Sequence, residues 1–137
     1  MASYELSGWM WMAPMSLDDV YDDAVDFGAE GEVPVGTPIG TTRLAHVMRV
    51  YNSILGGGLG SAMAVVEPAG FERAVAGFRY LGLGDLADRL ARSVESYGRP
   101  DHDFQEQRGL EQLLRAGDPV GDAFERKAAQ IPSDFGL

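Results

Sequence analysis

The sequence predicts an all-α fold, a compact single domain of six or seven short helices with glycine-capped turns. Three observations carry that reading. Apolar residues recur at three- and four-residue spacing along most of the chain. No segment sustains a period-two alternation. Glycines and prolines punctuate the periodic stretches. At 137 residues the chain is long enough to bury one core. It reads as a single helical domain, 1–137, with an acidic N-terminal helix and loop (1–42) ahead of a near-neutral helical body (43–137).

The first helix has the clearest signals. Ser16 stands at the N-cap and Asp19 at the capping-box position three residues on. Leu17, Val20, Tyr21, Ala24 and Val25 form the apolar stripe, and Gly28 is placed to stop the helix. Residues 29–42, rich in Gly, Pro and Thr, read as an extended connection. A second helix is predicted over about 42–55, with Leu44, Val47, Met48, Tyr51, Ile54 and Leu55 on one side, ended by Gly56, Gly57 and Gly58. A short helix over 59–66 is apolar nearly all round and is therefore expected to be buried.

Two helices follow over about 69–81 and 85–97, separated by Gly82 and Gly84. Their stripes are Phe71, Ala74, Val75, Phe78 and Leu81, then Leu86, Ala87, Leu90, Val94 and Tyr97. A weaker helix over 103–116, with Phe104, Leu110, Leu113 and Leu114, is expected to be interrupted at Gly109. Asp118 as N-cap and Pro119 at the first position open the last helix, which presents Val120, Ala123, Phe124 and Ala128 and ends before Pro132.

Charge is distributed unevenly. Residues 1–42 hold eight acids (Glu5, Asp18, Asp19, Asp22, Asp23, Asp26, Glu30, Glu32) and no Lys or Arg. The remaining residues hold 13 acids against 11 bases, a net of −2 within a total of −10. This balance disfavours direct nucleic-acid binding, which needs clustered cations, and favours steering of basic partners. No Cys is present, which excludes disulfides and thiolate metal sites and fits a reducing cytoplasm. The opening residues lack the features of a secretory signal, and no run is long enough to span a bilayer. The expected location is cytoplasmic.

On the first helix Asp18, Asp19, Asp22, Asp23 and Asp26 cover roughly 140° of one face at about 100° per residue. Their bland reading is a solvated surface. Against it stand three like-charge i,i+4 pairs (Asp18/Asp22, Asp19/Asp23, Asp22/Asp26), each costing about a few tenths of a kcal/mol. A face that only confers solubility does not require this cost. The spelling DDVYDD lacks the pattern of a calcium loop, and neither His lies nearby in sequence. No cofactor or metal is expected.

Among other candidates, the GGGLGS run at 56–61 lacks the lysine of a phosphate loop and reads as a helix corner. His46 flanks an apolar stripe and reads as structural. Asp101-His102-Asp103 follows Pro100 and reads as a turn that caps the next helix. Nothing resembles a catalytic nucleophile with its base. Trp9, Met10, Trp11, Met12 and Met15 cluster ahead of the acidic helix. They are either a staple onto the core or an adaptable contact surface.

One family resemblance is carried by Tyr51-Asn52, Gly57-Gly58-Leu59, Phe78-Arg79-Tyr80-Leu81-Gly82-Leu83-Gly84, Leu86-Ala87-Asp88-Arg89-Leu90 and the closing Asp118-Pro119-Val120 to Phe124. Over about residues 43–130 the chain resembles a family of small acidic all-helical bacterial proteins whose founding member is described as a DNA mimic. Leu59 stands where that family usually has an aromatic residue, and the Gln that often follows the turn is missing. The resemblance implies a helical fold and antagonism of a DNA-binding protein through acidic groups, with no catalytic residue.

The functional expectation is a non-enzymatic acidic protein that binds and inhibits a basic protein partner. It would use Asp18, Asp19, Asp22, Asp23, Asp26, Glu30 and Glu32, with Trp9 and Trp11 as apolar anchors. A DNA-binding protein, a nuclease or a toxin neutralised by an immunity protein would each supply such a surface. A small metal-binding enzyme, or a homodimer formed through the Trp–Met cluster, is the rival from a different class.

Overall fold

The computed structural model describes residues 15–137, whose regular secondary structure is all helical, with no strand. The order is α1 (Leu17–Glu30), α2 (Ile39–Val65), α3 (Pro68–Tyr80), α4 (Gly84–Ser96), α5 (Phe104–Arg115), α6 (Pro119–Gln130) and a final 3₁₀ turn (Pro132–Phe135). Helix α2 is the spine. The other elements gather around it, with α1, α3, α5 and the 3₁₀ turn all packed directly on it. Its Leu44, Val47, Met48, Val50, Ile54 and Leu59 are each no more than 1% exposed. A helix enclosed in this way buries residues on several faces, which is why Ala45 and Val50 join the predicted stripe.

Two glycines set how closely the neighbours approach. A Cβ on Gly28 of α1 would lie 2.9 Å from the Ala45 carbonyl oxygen, and one on Gly77 of α3 would lie 2.7 Å from the Arg43 carbonyl oxygen. Gly28 therefore does not stop α1, as the sequence suggested. It is a contact point inside a helix that runs on to Glu30, and Gly31 (φ 73°) is the left-handed cap.

The glycine corner is real but is a break within one helical run. Gly58, at φ 79° and ψ −178°, interrupts α2, and regular helix resumes beyond it. Two side chains of α5 bind the backbone around it. Glu111 Oε2 accepts from the Leu59 N–H at 2.7 Å, and Arg115 Nη2 donates to the Ile54 carbonyl at 3.2 Å. The segment after the break is only half enclosed: Leu59 and Ala62 are buried, but Val65 is 59% exposed. The expectation of burial for the whole segment does not hold: Leu59, Ala62 and Val66 face the protein, while Ser61, Ala64 and Val65 face solvent.

The expected interruption at Gly109 is also absent. Helix α5 is continuous, opened by Asp103, whose side chain accepts from the Gln105 and Glu106 N–H groups, and fixed by buried Leu110 and Leu114. Phe104 and Leu113 of its predicted stripe remain exposed. Helix α6 begins as read, with Asp118 accepting from the Gly121 N–H. The chain then adds an unforeseen plug. Phe135 is fully buried, edge-on to Phe124 at 5.3 Å, and Tyr80 beside it donates to Asp134 at 2.6 Å.

Two substitutions test this packing in urea unfolding. Gly58→Ala forces a side chain into a backbone region that only glycine adopts readily and pushes Glu111 aside. It is expected to cost about 1–3 kcal/mol or more. Phe135→Ala leaves a cavity between α2 and α6 and is expected to cost about 3–5 kcal/mol. A neutral result at either position would show that the element is not coupled to the core.

Candidate functional site: an acidic face on the first helix

Helix α1 is amphipathic, and its buried side explains where its acids point. Val20, Ala24 and Gly28 are buried against α2, which turns Asp18, Asp22 and Asp26 outward as one exposed row at four-residue spacing. Glu30 continues that row. Asp23 is half-buried at its flank. Asp19 also closes the helix cap, since its carboxylate accepts from the Ser16 N–H at 3.1 Å while Ser16 Oγ accepts from the Asp19 N–H. Glu32 lies beyond the C-terminal cap of α1 and borders a separate cleft with Arg49 and Arg73.

None of these seven acids forms an ion pair among the described residues. Four arginines are paired instead with Glu67, Asp88 and Glu106, all in the body of the protein. The last turn of α1 carries no base, so Glu30 sits at the negative end of the helix dipole without compensation. Trp9, Trp11, Met10 and Met12 lie outside the described residues. Met15 is 41% exposed at the helix entrance.

The fold extends the face beyond what sequence reasoning found. A shallow groove between α1 and α6 is lined by Leu17, Asp18, Tyr21, Asp118, Phe124 and Glu125, so two carboxylates of α6 join the row. No spacing rule connects residues a hundred positions apart. Only the amphipathic stripe of α6, which says it must pack somewhere, hints at the neighbour.

The tyrosines in this region register the field. Tyr21 is raised above its ordinary value by burial and then by the nearby charges of Asp118 and Asp22. Tyr51 is pushed up to about 12 by burial first and then by Asp118, to which its hydroxyl donates at 3.4 Å. Both shifts are those of a phenol kept neutral first by burial and then by nearby negative charge.

The remaining candidates have structural roles. His102 is buried, with Nδ1 2.6 Å from Ser96 Oγ and Nε2 2.7 Å from Gln107 Oε1, and it ties the end of α4 to α5. Among the described residues no three His, Asp or Glu side chains are grouped so as to hold a metal ion. No helix among them is long and apolar enough to cross a membrane. The chain matches no protein-family model, no curated protein and no solved structure.

Asp118→Asn tests the electrostatic reading, because Asn preserves the α6 cap while removing the charge. The ionisation of Tyr51, followed by ultraviolet absorbance against a Tyr51→Phe reference, is expected to move down from about 12 towards the ordinary phenol value of 10. The linked stability has a defined sign. A raised folded pKa stabilises below the unfolded value of 10, and that contribution is lost as pH rises towards about 12. An unmoved titration would show that Asp118 does not act on Tyr51.

Proposed function

We propose that the protein is a non-enzymatic binder that occupies a cationic surface on a protein partner, with the exposed row Asp18, Asp22, Asp26 and Glu30 as the centre of contact. The observation that carries this reading is the unneutralised row itself. Its carboxylates repel one another along a single helix face while every intramolecular ion pair among the described residues lies elsewhere. Asp118 and Glu125 widen the charged surface, and Asp23 supports its flank.

Successive turns of one helix face place side chains about 5–6 Å apart, of the same order as phosphates along a nucleic-acid backbone. Mimicry of DNA, directed at a DNA-binding protein or nuclease, is the form of binding that this spacing suits. Neutralisation of a basic toxin by an immunity protein uses the same surface and differs only in the partner. Asp19 contributes charge while holding its cap. Trp9 and Trp11, outside the described residues, remain proposed as apolar anchors.

The test is capture of partners from the source cells at low and high salt, followed by titration of the purified partner. Affinity is expected to fall steeply with salt, and Asp22→Asn with Asp23→Asn is expected to weaken binding by about 10-fold or more. DNA that binds the partner should compete if the face acts as a mimic. A complex indifferent to both salt and these substitutions would overturn the proposal.

A further inference from the structure

On the other side of α1, a cleft of about 350 Å³ opens between the end of that helix, the loop after it and the first turn of α3. Its chemistry is opposite to that of the acidic row. Arg49, Arg73 and His46 line one part, Phe27 and Val33 the apolar part, and Glu32 a carboxylate part. On a chain of net charge −10, two guanidinium groups meet in one depression, where they balance the carboxylates of Glu32 and Glu67.

The groups are held in place and incompletely satisfied. Arg49 donates through Nη1 to the Gly28 carbonyl at 3.4 Å and through Nη2 to the Val65 carbonyl at 3.3 Å. Its Nε is buried without a hydrogen-bond partner among the described residues, and so is Nδ1 of His46. The backbone crosses the guanidinium so closely that a Cβ on Gly31 would lie 3.0 Å from it. Buried polar atoms normally find partners, and here two unpartnered nitrogens belong to residues lining one cleft.

The pair of arginines already shows which chemistry it recognises. Glu67 bridges them, with one carboxylate oxygen 3.1 Å from Arg73 and the other 3.5 Å from Arg49. Gly70, in the first turn of α3, adds the positive end of a helix dipole to the wall. Phe27 and Val33, both half-buried against the core, offer a surface for a short hydrocarbon body. Glu32 counts against a doubly charged ligand, because a second negative charge would face its carboxylate.

We propose that this cleft is a binding site for a small organic monocarboxylate, its oxygens directed to Arg49, Arg73 and His46 and its apolar body resting on Phe27 and Val33. The volume is at the lower end of that of small-molecule sites. The site is separate from the acidic row and does not depend on the partner proposed for it.

The test uses the whole protein and sodium benzoate as probe, read by NMR of the two histidine rings. His46 is held below the ordinary imidazole value by burial, then by Arg73 and Arg43. The other charged groups of the cleft are Arg49 and Glu32. A bound carboxylate is expected to shift the His46 signals saturably and to raise its pKa, while His102, with both ring nitrogens already engaged, stays still. Arg73→Gln, at a side chain 47% exposed, should leave the fold intact and weaken binding by about 10-fold. Toluene, which lacks the charge, should not bind. Three results would overturn the site: no saturable shift with millimolar benzoate, equal affinity for inorganic phosphate, or benzoate binding untouched by Arg73→Gln.

Discussion

Everything in this fold is arranged around one interrupted helix. Helix α2 runs through the middle of the molecule, and its interruption at Gly58 frees backbone groups of the turn around it. Glu111 and Arg115, four residues apart on one face of α5, clasp it by binding the Leu59 N–H and the Ile54 carbonyl. Burying a peptide group without a partner costs on the order of 1–3 kcal/mol, so the clasp allows the spine to change direction at little penalty. The changed direction brings Leu59 and Ala62 into the core and turns Val65 towards the solvent.

The same spine determines what α1 exposes. Gly28 lets α1 approach α2 within backbone contact, and Arg49 of α2 reaches back to the Gly28 carbonyl. These contacts fix the rotation of α1 about its axis. With Val20 and Ala24 facing inward, Asp18, Asp22 and Asp26 have no alternative but to face out. The acidic row and the Arg49 cleft are therefore two consequences of one helix contact. One presents unneutralised carboxylates, and the other gathers guanidinium groups behind the same helix.

The elements with strong local signals are legible in the sequence. Ser16 with Asp19, and Asp118 with Pro119, start their helices where the capping pattern places them. Gly82 follows the end of its helix with positive φ. Glycine misleads where its use is steric. Gly28 reads as a stop because a terminating glycine and a contact glycine look alike until the neighbouring helix is known. Gly109 sits beside open space, where a glycine merely lowers helix propensity without breaking the helix. Phe135 gives no signal because a four-residue turn has no period to detect. The acids are visible as a set, but their division into an exposed row, a cap and a cleft edge depends on packing. Arg49 and Arg73 lie 24 positions apart on different helices, and no spacing rule joins them.

The central functional claim is that the acidic row is kept for recognition at the expense of local helix stability. Asp26→Lys separates the two, since the new side chain would stand four residues from both Asp22 and Glu30 and convert repulsion into attraction. The decisive measurement is retention of the captured partner by this variant, made on protein whose unfolding midpoint in urea matches or exceeds that of the parent. Retention is expected to be lost although the fold is as stable or more so. Undiminished retention by the stably folded variant would contradict the claim.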